Sequence, residues 1–299
     1  MKDYAQIIST GYQKHENKIV IVGQEGVGKS TAGLALPDNL FLLFEDGLVG
    51  EQFKDVKPLK PDSWEDSLNI LDWLLTGTTQ YKSLTIDTVD WLEPVLFEYI
   101  VRKANKPDIK NIEDFGWHKG YPIAAQEFRY FLSKLDMLSN RGFKILLLSH
   151  MQVKSFKNPL GEDYDRYEMK CCKELSALIK EWSDVTLFAM FDSYASKEGQ
   201  KVKGAGGNVR ICHATHCSGW DGKNRFGLPE TMVFDMQEIL GMIDGEGVEK
   251  RKLTVISEIK ELAEKMDLDK KEKTIKWLDS NPNLNSLSTF LNKIKTGVK

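Results

Sequence analysis

Apolar residues along the chain fall into two rhythms. Short, mostly apolar runs at residues 18–22, 39–44, 143–149 and 184–191 are rich in Ile, Leu, Val and Phe, as strands buried on both faces should be, and residues 83–88 are a β-rich run closed by an aspartate. Between them, apolar positions recur at helical spacing. Ser63-Trp64-Glu65-Asp66 has the cap and early acids of a helix start, Leu68, Leu71, Leu74 and Leu75 follow at that spacing, and Gly77 ends the run. Residues 91–104 carry Leu92, Val95, Leu96, Tyr99 and Ile100 on one stripe; residues 124–139, closed by Arg141-Gly142, and 173–182 are further helices. Strands and helices therefore alternate, which predicts an α/β fold with a mostly parallel sheet flanked by helices.

Two long polar stretches, 105–121 and 151–169, lack either rhythm and read as loops of functional length. Residues 197–208, with Gly204, Gly206 and Gly207, read as a hairpin connection. From Met236 the character changes. Residues 248–266, 270–279 and 284–295 predict helices, broken at Ser280-Asn281-Pro282-Asn283. This divides the chain into a lead-in over 1–17, a core over 18–235 and a helical region over 236–299.

Charge sharpens that division. The formal net charge of the 299 residues is −3, yet residues 250–299 hold twelve Lys/Arg against seven Asp/Glu, so the tail is basic and the remainder acidic. Four cysteines, two of them adjacent, make no disulfide framework. No apolar run reaches the length of a membrane span, and the lead-in lacks a signal-peptide core, which predicts a cytoplasmic protein with no membrane partner.

The chemistry concentrates in Gly23-Gln24-Glu25-Gly26-Val27-Gly28-Lys29-Ser30, followed by Thr31, a complete P-loop pattern between a predicted strand and a helix that stops at Pro37. Glycines let consecutive N–H groups curl round phosphate oxygens, and the helix N-terminus adds partial positive charge. In this reading Lys29 reaches the β- and γ-phosphates of ATP and Ser30 ligates Mg2+. Asp87 closes an apolar run in the Walker B manner and is placed to hold the Mg2+ shell. Glu45 follows the strand after the P-loop helix, where it is either the general base for an attacking water or a loop carboxylate near the metal or in solvent. His150 ends a further strand, as a γ-phosphate sensor or a hydrogen-bonded strand end.

Cations interleaved with rings at Lys154, Phe156, Lys157 and Arg166 suit single-stranded DNA, although four acids in the same stretch also suit a solvated loop. Cys212-His213-Ala214-Thr215-His216-Cys217 invites a metal reading, which strand alternation rejects because it divides the four side chains between two faces. Lys223 and Arg225, two apart in an extended segment, point the same way. They either call for an anion on that side or are solvated surface cations.

The order of these features resembles the RecA-like ATPases, whose catalytic glutamate follows the strand after the P-loop helix. More closely, residues 112–121 (Ile-Glu-Asp-Phe-Gly-Trp-His-Lys-Gly-Tyr), 158–167 (Asn-Pro-Leu-Gly-Glu-Asp-Tyr-Asp-Arg-Tyr) and 220–225 (Trp-Asp-Gly-Lys-Asn-Arg) resemble the phage RecA-core single-strand annealing ATPases of the Sak-four type. The resemblance spans about residues 18–235. It implies a RecA-like P-loop NTPase core, Mg2+-dependent ATP hydrolysis, DNA binding through loops after the central strands, and recombination alongside a single-strand DNA-binding protein. It further implies a homo-oligomer, ring or filament, in which Lys223 and Arg225 reach the neighbour's γ-phosphate. RecA-like recombinases often carry glutamine where His150 stands. Two other functions share the motifs: a ring-forming replicative helicase or helicase loader, and a nucleotide-gated DNA-binding module without significant turnover.

Overall fold

The computed structural model describes residues 17–198 and 201–280 apart from 265 and 267, together with residues 282, 287, 290, 291 and 294. The lead-in, except Asn17, lies outside the described residues. In chain order the elements are β1 (Lys18–Gly23), α1 (Lys29–Ala32), β2 (Asn39–Leu43), α2 (Trp64–Thr76), β3 (Ser83–Asp87), α3 (Val89–Ala104), α4 (Gly120–Asn140) and β4 (Lys144–Phe156). Then come β5 (Tyr164–Met169), α5 (Lys173–Trp182), β6 (Val185–Glu198), β7 (Lys201–His213), β8 (Lys223–Asn224), β9 (Thr231–Val233), α6 (Met236–Ile243), α7 (Glu246–Ala263) and α8 (Leu268–Asp279).

One sheet organises them, in the order β2-β3-β4-β1-β6-β7-β9, with β5 pairing β4 and β8 pairing β6. The five strands from β2 to β6 run parallel, and β7 and β9 add an antiparallel edge. This is a mostly parallel α/β core, with β4 inserted between the P-loop strand and the Asp87 strand. Alternation along each strand feeds two faces. Val20 and Val22 point with Leu40, Leu84, Ile86, Ile145 and Leu147 into a layer closed by α2, α3, α4 and α5. Ile19 and Ile21 point with Leu146, Leu148, Val185 and Leu187 toward Val27, Ala32 and α6. Both faces are covered, which is why these strands read as continuous apolar runs.

Local signals act as the sequence predicts in α2, where the Ser63 hydroxyl accepts from the Asp66 N–H at 3.1 Å, and α5 occupies residues 173–182. Other expectations change. The P-loop helix tightens to a 3-10 turn over Gly33–Ala35 before Pro37. Within the stretch read as a polar loop, residues 112–115 form a 3-10 turn with a capping box from Asn111 and Asp114, and α4 begins at Gly120.

Three differences are larger. β4 does not stop at His150 but continues to Phe156, and residues 151–169 are an antiparallel hairpin rather than a loop, in register from Met151 opposite Met169 to Phe156 opposite Tyr164. Asn158 turns it, its side chain accepting from the Leu160 N–H, while Lys157 pairs with Asp163 at 2.5 Å. The glycines at 206 and 207 lie inside β7, where the pairing with β6 shifts register, and not in the connection, whose residues 199 and 200 are outside the described ones. Finally, α6 packs on the core through Met236, Ile239, Leu240 and Ile243, whereas Val255, Ile259, Leu278, Leu287, Leu291 and Ile294 form a separate cluster. The helical region therefore begins to stand apart only after α6. Among the described residues no helix is long and apolar enough to cross a membrane.

Candidate nucleotide site

Parallel strands deliver their carboxyl ends to one edge, and the register aligns them there. Gly23 lies beside His150 of β4 and Ala189 of β6, Asp87 beside Leu148, and Leu43 beside Asp87. The P-loop leaves β1 at this edge and is fastened to β6: the Gln24 N–H donates to the Ala189 carbonyl at 3.2 Å, and the Gln24 side-chain oxygen accepts from the Phe191 N–H at 3.0 Å. A Cβ at position 23 would lie 2.5 Å from the Ala189 carbonyl oxygen, so only glycine allows this approach. Gly28, with φ 104°, turns the chain into α1 in a conformation that side chains disfavour. Val27 is buried in the core, while Glu25, Gly26 and Thr31 face outward.

Lys29 is buried, its ammonium donating to the carbonyls of Gly23 at 3.1 Å and Gln24 at 2.9 Å. Burial lowers its pKa against the pull of Asp90, Glu45, Asp87 and Glu25. Asp87 is fully buried at the end of β3, and neither carboxylate oxygen has a hydrogen-bond partner of good geometry. Burial raises its pKa, opposed by the nearby Ser30 hydroxyl and Lys29. A buried, unpartnered carboxylate beside a P-loop hydroxyl is the donor chemistry a hard divalent cation takes, so Asp87 and Ser30 fit Mg2+.

Glu45 joins them from the loop after β2. A Cβ built on Gly47 would lie 3.6 Å from Glu45 Oε1 and 3.7 Å from Ser30 Oγ, so the carboxylate and the hydroxyl flank the same backbone. His150 stands on the other side, its Nε2 3.8 Å from Glu45 Oε1. Burial raises the Glu45 pKa, Asp87 and Asp90 add to the rise, and His150 and Lys29 oppose it.

Asp90 is the site residue that sequence reasoning did not assign. β3 ends at Asp87, and beyond it the Asp90 carboxylate receives the His150 backbone N–H at 2.9 Å and meets His150 Nδ1 at 2.9 Å. A carboxylate at that distance takes the ring proton on Nδ1, which aims Nε2 at Glu45. Burial opposes the Asp90 charge, yet the His150 hydrogen bonds hold its pKa below the ordinary value. Its signal was available in the chain as an acid in the first turn of α3, the helix that leaves the Asp87 strand at this edge.

The other assignments disperse. Lys154, Phe156, Lys157 and Arg166 all lie on the hairpin, but Arg166 is buried and pairs with Asp221 at 2.5 Å, its guanidinium 5.4 Å from the Phe156 ring. It is a structural cation, and so unavailable to DNA. Phe156 meets Tyr164 at 5.2 Å, and Lys157 is tied to Asp163. Lys223 and Arg225 lie at the other end of the sheet, where β8 pairs with Val185 and Thr186. They are not uncommitted: Lys223 donates to the Lys180 and Glu181 carbonyls at 2.9 and 2.7 Å, and Arg225 pairs with Asp184 at 2.8 Å. The unpaired charge that suggested a neighbour's phosphate is absent within this chain. The residues of the 212–217 run also part company: Cys212 is buried in the core with its thiol pushed up to about 12, His213 stacks on Trp220 at 4.2 Å, and His216 meets Asp221 at 3.3 Å.

No curated protein matches the sequence. Among solved structures, the flagellar accessory protein FlaH from Methanocaldococcus jannaschii is similar over 74% of this chain and 85% of that chain, at 11% identity and a TM-score of 0.37, a likeness too slight to bear on function. The sequence family described as AAA domain matches residues 15–226, which hold every residue of the site above, and the chain belongs to that family.

Proposed function

We propose that this chain is a Mg2+-dependent ATPase whose nucleotide cycle is coupled to single-stranded DNA. It promotes annealing of complementary strands as a homo-oligomer, alongside a single-strand DNA-binding protein, in the cytoplasm of a bacterial host cell. The hydrolytic part rests on Lys29, Ser30, Asp87, Glu45, His150 and Asp90 sharing one edge. Asp87 and Ser30 would hold Mg2+, which supplies charge neutralisation on phosphate oxygens when bound. Lys29 adds a second, buried positive charge, worth more in a dry site than in water. Glu45 is the base: its carboxylate accepts a proton from water, and its raised pKa improves it for that task near neutral pH. Asp90 fixes the His150 ring, and His150 limits how Glu45 turns.

The observation that carries the coupling to DNA is β4 itself. One continuous strand holds His150 against Glu45 and then runs on as the first arm of the 151–169 hairpin, whose Val153 is 60% and Leu160 95% exposed. A shift of His150 on hydrolysis is thereby passed along a paired backbone to the hairpin. Trp117, 93% exposed and held with φ 50° between Gly116 and His118, is a ring free to stack on a base. Annealing and the protein partner rest on the family resemblance alone.

The test is the ATPase rate with and without single-stranded DNA, followed by annealing of complementary strands and unwinding of a forked duplex. We expect turnover to rise with single strands, annealing to proceed, and the fork to stay closed. Turnover indifferent to DNA would leave an ATPase with another partner, and an opened fork would make it a helicase.

A further inference from the structure

On the far side of the P-loop from Glu45 and His150 lies a second feature that hydrolysis does not use. Arg210, on the antiparallel strand β7, extends over Gly28: a Cβ built there would lie 3.2 Å from one terminal nitrogen of its guanidinium and 4.0 Å from the Phe234 ring. Arg210 is exposed, and among the described residues its side chain has no ion pair or hydrogen bond. Beside it opens a cavity of about 320 Å³ between α1 and the start of α6, lined by Gly28, Thr31, Leu34, Arg210, Phe234 and Gln237 among others. That volume is in the range of small-ligand sites.

We infer that Arg210 is a phosphate ligand supplied by this same chain, and that the cavity behind it takes the nucleoside, with the base against Phe234. The inference rests on the proposed ATP binding and names where the rest of that molecule goes. A nucleoside triphosphate is linear. If its terminal phosphate is at Glu45 and Asp87, beside β3 and β4, the chain of phosphates crosses the P-loop and leaves on the β7 side, where Arg210 and the cavity stand. A planar guanidinium with no partner is suited to phosphate oxygens, which it binds through paired hydrogen bonds. Phe234 is half-buried and offers a ring without a competing polar group.

The experiment is calorimetric titration of the full chain, with Mg2+, by ATP and by inorganic tripolyphosphate, which has phosphates but no nucleoside. We expect Arg210→Gln to weaken both by about tenfold or more, and Arg210→Lys, which keeps the charge and loses the fork, to recover part of that loss. Phe234→Ala is expected to weaken ATP and leave tripolyphosphate unchanged. Melting temperatures without ligand should match the wild type for the exposed Arg210, so that lost affinity is not lost fold. Wild-type affinity of Arg210→Gln for both ligands, with Lys29→Ala binding neither, would overturn this inference and leave the ATPase reading standing. Loss of ATP but not tripolyphosphate affinity in Arg210→Gln would move Arg210 from phosphate to nucleoside and overturn its assignment. A wild-type chain that binds no ATP would sink both.

Discussion

Two charged clusters in this molecule are built on opposite rules. At the carboxyl edge of the sheet, Asp87, Asp90, Glu45 and Glu25 surround a single Lys29 and a histidine, and Asp87 is buried with neither oxygen partnered. At the other cluster each charged side chain has at least one partner within the chain, and among the described residues Arg166 Nε alone is buried there without one. Asp221 accepts from Arg166 at 2.5 Å and from Lys180 at 2.7 Å, Asp184 holds Arg225, and Lys223 closes the carbonyls at the end of α5. Even the pKa values diverge. Asp221 falls below its ordinary value because Lys180 and Arg166 outweigh its burial, while Asp87 rises because burial outweighs Ser30 and Lys29. A carboxylate left without a counter-charge at a cost in stability is the mark of a site, and charge paired within the chain is the mark of a scaffold.

The largest expected effect lies in the unmet cluster. Lys29→Ala should abolish phosphate release, and Glu45→Gln should lower turnover by a factor on the order of 10² or more while ATP affinity persists. Near-normal turnover in Glu45→Gln would hand the base role to another group at this edge.

Next comes the met cluster. Arg166→Met should cost about 2–3 kcal/mol of stability, read as a lowered denaturant midpoint, because it takes one of two cations from a half-buried carboxylate. If that variant instead kept its stability and lost DNA affinity, Arg166 would belong with function and the contrast would fail.

Asp87→Asn tests the same contrast with the opposite sign. A carboxyl raised in the fold is a liability above its ordinary pKa, and stability recovers as pH falls through the raised value toward the ordinary one. Without Mg2+, the neutral variant should therefore melt higher than the wild type near neutral pH and show less gain on mild acidification. Adding Mg2+ should raise the wild-type melting temperature and leave the variant unmoved. Catalysis carries a related sign: Glu45 must be ionised to accept a proton, so turnover should fall as pH drops through its raised pKa. The acid limb should thus sit above the ordinary carboxylate range.

The smallest effect belongs to Arg225→Ala. Its guanidinium is 57% exposed, and the buried Asp184 carboxylate keeps the Lys18 backbone N–H at 3.2 Å, so a loss of about 1 kcal/mol is expected, with turnover within about twofold of wild type. A collapse of turnover that mixing with Lys29→Ala protein restores would mean that Arg225 exchanges Asp184 for a neighbour's phosphate in the assembly.

Much of this fold was legible because its signals are local. The P-loop is eight consecutive residues, the Ser63 cap acts on a residue three further on, and the buried strands announce themselves as apolar runs. From such signals the sequence by itself determined the α/β class, and it set Lys29, Ser30, Glu45, Asp87 and His150 at or just beyond strand ends, which the fold gathers at one edge. What the tertiary structure decided depends on pairs far apart in the chain. The 151–169 stretch alternates as a strand does, but with mixed charges and a turn of Asn, Pro and Gly it reads as loop until β5 lies down beside β4. Asp90 reaches His150 across 60 residues, Arg166 reaches Asp221 across 55, and Arg225 reaches Asp184 across 41. A side chain's type says that it carries charge. Whether that charge is spent inside the fold or held open for a ligand is set by strand register and burial, and no window of the sequence contains either.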